Sequence, residues 1–284
     1  MDRVRKIAER AKAASPDNGI HQALAGTHLF QFLRTGRVEC EDYVAALVDV
    51  CDTPLGSQAL LPQLHPLRQG GWLSLRDDSV RARAWDFLSR LLHSGSRKIQ
   101  EHRQAWQVIH QGRTPTDDEG TCVQEPLGRA TRLVDGICMQ LLFATGAHSA
   151  NDEPRLDAVQ MRRFWTESES LLELLAKEIH PHTAYHLIQT LRCLLPCNPR
   201  RVFLLAETSI RSASEAGFQN ESLAIGEVVK LVQQVLADYR EIFQPVGGQD
   251  SECLSALLNV LDLFVEAGWP QARQLTHRLE EIYR

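Results

Sequence analysis

The residues with the clearest potential for chemistry lie in one stretch, "EIHPHTAYHLIQTLRCLLPC", at 178–197. Its possible metal ligands are Glu178, His180, His182, His186, Cys193 and Cys197. His182 and His186 are four residues apart, so a helix would put both on one face, a spacing that can chelate zinc. However, the stretch has no His-Glu-x-x-His motif, and Cys-x3-Cys is not the usual zinc-knuckle spacing. We therefore predict no metal and no cofactor, and keep a metal-dependent enzyme centred on His182 and His186 as an alternative.

Other catalytic patterns are missing from the sequence. It contains no Gly-x-Ser-x-Gly nucleophile motif, no Gly-x4-Gly-Lys-[Ser/Thr] phosphate loop and no Gly-x-Gly-x-x-Gly. Two carboxylate pairs, Glu169 with Glu173 and Asp49 with Asp52, have helical spacing, which a solvated helix face explains as well as an acid/base pair. We predict that the protein is not an enzyme and has no catalytic residues.

Basic and aromatic residues are concentrated in one region of the first half. Between Arg76 and Arg113 there are eight basic and four acidic residues, and Trp72, Trp85 and Trp106 lie in or next to this segment. Basic side chains bind acidic protein surfaces or phosphates, and aromatic rings stack on bases. The face that we predict for a protein partner consists of Trp72, Arg76, Arg81, Arg83 and Arg103. The alternative is a nucleic-acid contact through Arg97, Lys98 and Arg103.

Composition describes an ordinary globular chain. It has 284 residues, of which 43% are hydrophobic and 24% charged, with a net charge of −5. Residues 1–150 carry 18 basic and 17 acidic groups, and residues 151–284 carry 13 and 19, so the excess acid lies in the second half. A chain with this balance is not a basic nucleic-acid coat.

Several features favour a cytoplasmic protein without a membrane partner. No apolar run approaches the roughly 18 residues that span a bilayer. The start, "MDRVRKIAERAKAAS", is charged throughout, unlike a signal peptide. Seven scattered cysteines are typical of a reducing compartment rather than of a disulfide framework. A helical pattern begins directly after Met1 and continues to Arg284, which fits a short protein and a piece of a longer one equally well.

Helical periodicity dominates the sequence, and strand signals are nearly absent. In "DDSVRARAWDFLSRLL", residues 77–92, the apolar residues recur at steps of three and four. A polar loop is predicted at 112–121, and a second one at 145–154 divides the chain into helical domains at 1–146 and 155–284. The predicted helices are 2–14, 20–34, 39–51, 56–65, 78–93, 97–111, 125–145, 155–178, 182–195, 199–216, 220–242, 251–266 and 270–283. Short connections between them predict stacked antiparallel helix pairs in an all-α fold.

One segment of this pattern, "ALLPQLHPLRQGGWLSLRDDSVRARAWDFLSRLL" at 59–92, resembles a HEAT repeat. The family positions that it matches are an acidic turn, a Val-Arg pair, and a small and a large core residue: Asp77, Asp78, Val80, Arg81, Ala84 and Leu88. We expect Asp78 to cap the second helix. The resemblance implies an irregular HEAT-like α-solenoid, which binds partners along one face. The alternative is an irregular helical bundle.

The last part of the chain, 201–284, carries a second resemblance. "RVFLLAETSIRSASEAGFQNESLAIGEVVKLVQQVLADYREIF" and "LLNVLDLFVEAGWPQARQLTHRLEEIYR" look like the C-terminal helical region of large bacterial proteins. Those proteins join an NTPase or another effector domain to a helical tail, and many belong to antiviral defence systems. The resemblance implies a non-catalytic protein–protein interaction, scaffold or sensing module of such a system, with the catalytic activity elsewhere.

Overall fold

The structure, a computed structural model, describes the residues 19–64, 77–110, 116–146, 156–178, 181–215, 222–244 and 251–266. About 89% of these residues are helical and none is in a strand, which confirms the predicted all-α fold. The helices predicted at 2–14 and 270–283 lie outside the described residues. The chain divides into two compact units, residues 1–144 and 145–284, which are described separately.

The first unit is built from five described α-helices and one 3-10 helix. They are α1 (Ile20–Thr35), α2 (Val38–Asp49), α3 (Pro54–Leu60), the 3-10 helix Leu61–Leu64, α4 (Asp78–His110) and α5 (Asp117–Thr145). Helix α1 packs against α2, α3 and α4, and α2 also contacts α3 and α4. The side chain of Gln140 on α5 donates a 2.7 Å hydrogen bond to the carbonyl of Leu64, which joins α5 to the 3-10 helix.

Capping residues define where these helices begin and end. Gly36 takes a left-handed φ of 64°, and its N–H donates to the Phe32 carbonyl, which ends α1 before the chain turns back into α2. The α4 helix is capped by Asp77, not by Asp78 as expected, because Asp77 Oδ1 accepts from the backbone N–H of Val80 at 3.1 Å. Hydrogen bonds from the Ser79 hydroxyl and then from the Val80 N–H lower the pKa of Asp77.

The predicted break between helices 78–93 and 97–111 is wrong, because α4 runs without interruption from Asp78 to His110. Ser94, Gly95 and Ser96 are a packing site rather than a turn. The Ser94 hydroxyl donates to the carbonyl of Val48 at 3.0 Å, and a Cβ on Gly95 would lie only 2.9 Å from Val134 Cγ2. Small residues are needed here because neighbouring helices approach α4 closely.

The loop predicted at 112–121 is also shorter than expected, since α5 begins at Asp117 and continues through Pro126. Pro126 has no N–H to donate to the preceding turn, so proline inside a helix usually costs stability. The sequence pattern placed the helix start at 125 because proline is common in the first turn of a helix.

The second unit contains five described α-helices and one 3-10 helix. They are α6 (Ala158–Leu175), α7 (Pro181–Leu194), α8 (Pro199–Glu215), α9 (Ser222–Asp238), the 3-10 helix Arg240–Phe243 and α10 (Glu252–Glu266). Within the described residues of this unit, every substantial contact joins helices that are neighbours or next-neighbours along the chain. Helices α6, α8 and α10 therefore form one row, and α7 and α9 form a second row.

Polar bridges connect helices within each row. Arg201 on α8 pairs with Glu173 on α6, and Asn259 on α10 donates to Glu207 on α8 at 3.3 Å. In the other row, a charged pair joins α7 to α9 and consists of Arg192 and Glu227. Apolar packing completes the interior, as in the edge-to-face contact of Phe203 with Phe243, whose ring centroids are 5.3 Å apart.

Four of the seven cysteines are buried, Cys122 is exposed, and no disulfide joins any of the seven. Burial raises the pKa of Cys138 well above its usual range and that of Cys253 to about 11. These thiols are therefore protonated at neutral pH and behave as small apolar side chains. In the described part of the chain, no helix combines the length and the apolar character needed to cross a bilayer.

Candidate interaction surfaces

Two arginines of the predicted contact face are used inside the first unit. Arg81 is only 5% exposed and donates to Asp78 Oδ1 at 3.0 Å. Arg83 reaches the C-terminal end of α1, where Nε donates to the carbonyl of Leu33 at 2.6 Å and Nη2 to that of Arg34 at 3.1 Å. The last carbonyls of a helix have no hydrogen-bond donor within the helix. Arg83 donates to two such carbonyls of α1 and so holds α4 against α1.

The other members of that face are Trp72, Arg76 and Arg103. Trp72 and Arg76 lie outside the described residues. Arg103 is half-buried and already engaged by other residues. The two described tryptophans of the region take part in helix packing. Trp85 is buried, and the ring of half-buried Trp106 lies 3.8 Å from where a Cβ of Gly120 would stand.

Lys98, which belongs to the predicted nucleic-acid face, lies in a charged cluster around Asp52. His102 Nε2 lies 2.9 Å from Asp52 Oδ2, and Lys98 Nζ lies 3.8 Å from the same oxygen. The backbone carbonyl of Asp52 accepts a 2.7 Å hydrogen bond from Arg129 Nε. The turn between α2 and α3 therefore anchors both α4 and α5. Arg97 is more accessible than Lys98, with 61% of its side chain exposed and Nε 3.8 Å from Glu101.

A groove of about 460 Å³ lies between α2 and α4, and sequence patterns gave no sign of it. Its lining residues are Ala45, Val48, Asp49, Arg90, His93, Ser94 and Arg97. Arg90 on one wall is held by Glu41 at 2.8 Å, and Asp49 adds a carboxylate on the other. His93 Nδ1 lies 2.7 Å from the carbonyl of Ser89, so it donates there and Nε2 remains as an acceptor. With charges of both signs, the groove suits a polar protein surface better than a polyanion.

The six residues considered as metal ligands are only partly described. Glu178 is buried, while His186, Cys193 and Cys197 are half-buried. Neither His180 nor the side chain of His182 belongs to the described residues. In the remainder, no three His, Cys, Asp or Glu side chains come together in a way that would hold a metal ion.

Three of the four paired carboxylates, Glu169, Glu173 and Asp52, form ion pairs. Glu169 and Glu173 both lie beside Arg201, with Glu169 Oε1 3.5 Å from its Nε. Asp52 is held by the cluster described above, whereas Asp49 is exposed. Glu169 and Glu173 therefore share Arg201 as an ion-pair partner, whereas Asp49 and Asp52 lie in different surroundings.

His28 on α1 gives the first unit a pH-dependent stability. Its ring lies 4.3 Å from that of Tyr43, its Nδ1 is buried without a hydrogen-bond partner, and burial lowers its pKa below 6.5. Because the unfolded chain then binds the proton more tightly, the folded state loses stability as the pH falls below the unfolded pKa of about 6.5.

We expect His28→Phe, which keeps a ring against Tyr43, to lose less free energy of unfolding between pH 7.5 and pH 5 than the wild-type chain does. Urea unfolding at both pH values measures the difference. Ala46→Phe, which adds a ring at an exposed position of the same unit and removes no titratable group, is the control and should keep the wild-type pH dependence. An unchanged pH dependence in His28→Phe would contradict the assignment.

Comparison with known proteins gives no relative for this arrangement: no protein-family model, no curated protein and no solved structure matches the chain significantly.

Proposed function

We propose that the protein is a non-catalytic interaction module, a scaffold or sensor that binds another protein through its helical surface. The observation that carries this proposal is the array in the second unit, where each helix packs on its neighbours and next-neighbours along the chain. Arrays of this kind present long, continuous helical faces, and their usual role is binding.

The HEAT-like interpretation of residues 59–92 has partial support from burial. Ala84 is fully buried and Leu88 is 3% exposed, as the small and large core positions of the repeat require. The segment between the two helices of this repeat, residues 65–76, lies outside the described chain. Helix α1 contacts three other helices, which fits an irregular bundle as well as a HEAT-like solenoid. The assignment to a HEAT repeat therefore rests on the sequence resemblance.

The binding face that we propose differs from the one expected from sequence. Arg81 and Arg83 are engaged within the unit. We therefore move the proposed binding face to the groove between α2 and α4, which has Arg97 at its wall. We place the module in the cytoplasm, as part of a larger bacterial system of the antiviral-defence kind that the resemblance of 201–284 implies.

Nucleic-acid binding is the second candidate, and the exposure of Arg97 favours it. The two other basic residues of that hypothesis are less available. Lys98 lies near both Asp52 and Glu101, and Arg103 is engaged elsewhere. A phosphate backbone would have to compete with these carboxylates, which weakens the case for this face.

A capture experiment from the native lysate tests the proposal, with nuclease-treated and untreated samples side by side and proteins identified by mass spectrometry. The variant Ala45→Trp fills the groove, while Ala46→Trp adds the same ring at the neighbouring exposed position and is the control. We expect a protein partner that persists after nuclease, is retained by Ala46→Trp and is lost with Ala45→Trp. Recovery that collapses after nuclease would instead support nucleic-acid binding, and equal capture by both variants would exclude the groove.

A further inference from the structure

Helix α10 is apolar over more of its circumference than its neighbours cover. Leu258 is 51% exposed and Val265 is 63% exposed, although both belong to a helix whose opposite side is fully buried. Together with half-buried Leu254 they form a stripe, because positions four and seven residues apart lie on one side of a helix. We call these three residues the α10 stripe.

The α10 stripe lies on the flank of α10 that turns away from α8. Asn259 marks the side facing α8, because its amide donates to Glu207 there. Cys253 marks the same side, because its Sγ lies 3.8 Å from the Arg200 carbonyl on α8. Successive helical residues are rotated by about 100°, so Leu258 and Val265 lie roughly 100° to 120° from Asn259 in one direction and roughly 120° to 140° from Cys253 in the other. This is the side on which the next helix of the row would pack, since α6, α8 and α10 follow one another in the row.

The charged residues of α10 itself are all of one sign. Every charged residue of α10 is acidic: Glu252, Asp262 and Glu266. All three are exposed, and no described residue forms an ion pair with them. An apolar row with an acidic border repels an acidic partner and attracts a cationic one.

From the position and charge of this surface we propose that the α10 stripe binds an amphipathic helix of a partner protein, with an apolar face bordered by lysine or arginine. The partner helix would continue the row beyond α10 and pair its cations with Asp262 and Glu266. This mode of recognition lays apolar residues at helical spacing into a complementary face. The inference rests on the proposed interaction function and names a second surface for it, separate from the groove in the first unit.

Fluorescence anisotropy on the full chain tests the inference. The probe is a labelled 14-residue peptide with leucine at helical spacing and lysine elsewhere, and its counterpart carries glutamate in place of lysine. We expect the lysine peptide to bind at least about tenfold more tightly than the glutamate peptide. The double variant Leu258→Ser/Val265→Ser should weaken that binding by a similar factor, because it removes the apolar contact and leaves the acidic residues unchanged.

The control variant is Val159→Ser on α6, because Val159 is 69% exposed and lies in the same unit. It makes the same apolar-to-polar change away from α10 and should bind the lysine peptide as the wild type does. Circular dichroism checks that each variant is folded. Equal binding by the wild type and the α10 double variant would overturn the inference. So would a concentration-dependent dimer that the double variant abolishes, because the occupant would then be a second copy of the chain.

The capture experiment separates this inference from the proposed function. If the α10 double variant still captures a nuclease-resistant partner, the proposed interaction function is supported, but the α10 stripe is not the surface that binds this partner. Loss of that partner with the double variant, together with retention by Val159→Ser, would support the inference.

Discussion

Replacing Gly56 with alanine is expected to lower the free energy of unfolding of the first unit by about 3 kcal/mol, at the upper end of the usual cost of overpacking. A Cβ at this position would lie 2.1 Å from the carbonyl oxygen of Val50 and 2.6 Å from its carbonyl carbon. Both are backbone atoms, so the turn between α2 and α3 has to move. Native-state hydrogen exchange measures the effect, with faster exchange expected in the first unit and unchanged exchange in the second.

The control is the same substitution at Gly128 in the interior of α5. A Cβ there would meet no atom within 4 Å, and alanine favours the helix over glycine. We expect Gly128→Ala to raise stability by about 0.5 to 1 kcal/mol. If both substitutions changed stability in the same direction, the close approach at Gly56 would not be the cause.

Replacing Arg192 with methionine is expected to cost the second unit about 3 kcal/mol. Its partner Glu227 has only 8% of its side chain exposed, so the carboxylate would remain in a poorly solvated place. Lys230 also contacts Glu227, with Nζ 2.7 Å from Oε1, but its side chain is 55% exposed and stabilises the charge less. Breaking a buried ion pair by removing one partner costs about 3 to 5 kcal/mol. Urea unfolding followed by circular dichroism measures the change.

The double variant Arg192→Met/Glu227→Met removes the stranded charge and should recover most of the lost stability, because apolar residues of similar size often replace a buried ion pair at little cost. Arg163→Met is the exposed comparison, since Arg163 pairs with Glu167 at the surface and has 47% of its side chain exposed. It should change stability by less than about 1 kcal/mol. A double variant as unstable as Arg192→Met would show that the cost comes from packing rather than from the charge on Glu227.

Periodicity in the sequence was sufficient for the fold class and for most of the described helices, because an amphipathic stripe depends only on local spacing. Periodicity did not predict the structure where a residue is required by a contact with a residue far away in the sequence. Gly95 suggests a helix end in the sequence, yet it is glycine because Val134 of α5 packs against it. The sequence around Gly95 contains nothing that identifies Val134 as its neighbour.

The candidate surfaces were harder to predict than the helices, for a related reason. Arg81 and Arg83 look like exposed cations in a helical pattern, but Arg83 bonds to the carbonyl of Leu33, fifty residues earlier in the chain. The positive charge counted from the sequence is therefore not the charge that a partner would meet. By contrast, the excess of leucine and valine on α10 was visible in the sequence. What could not be predicted was which flank of that helix its neighbours leave uncovered.

The ordering of contacts in the second unit also affects how the unit is made. When each helix touches only the next one or two along the chain, its contacts have low sequence separation, and chains with such contacts fold quickly. During synthesis, α6 can pack as soon as α7 and α8 have left the ribosome, long before α10 exists. A substitution that destabilises α6 would then destabilise α7 and α8 directly, and α10 only indirectly.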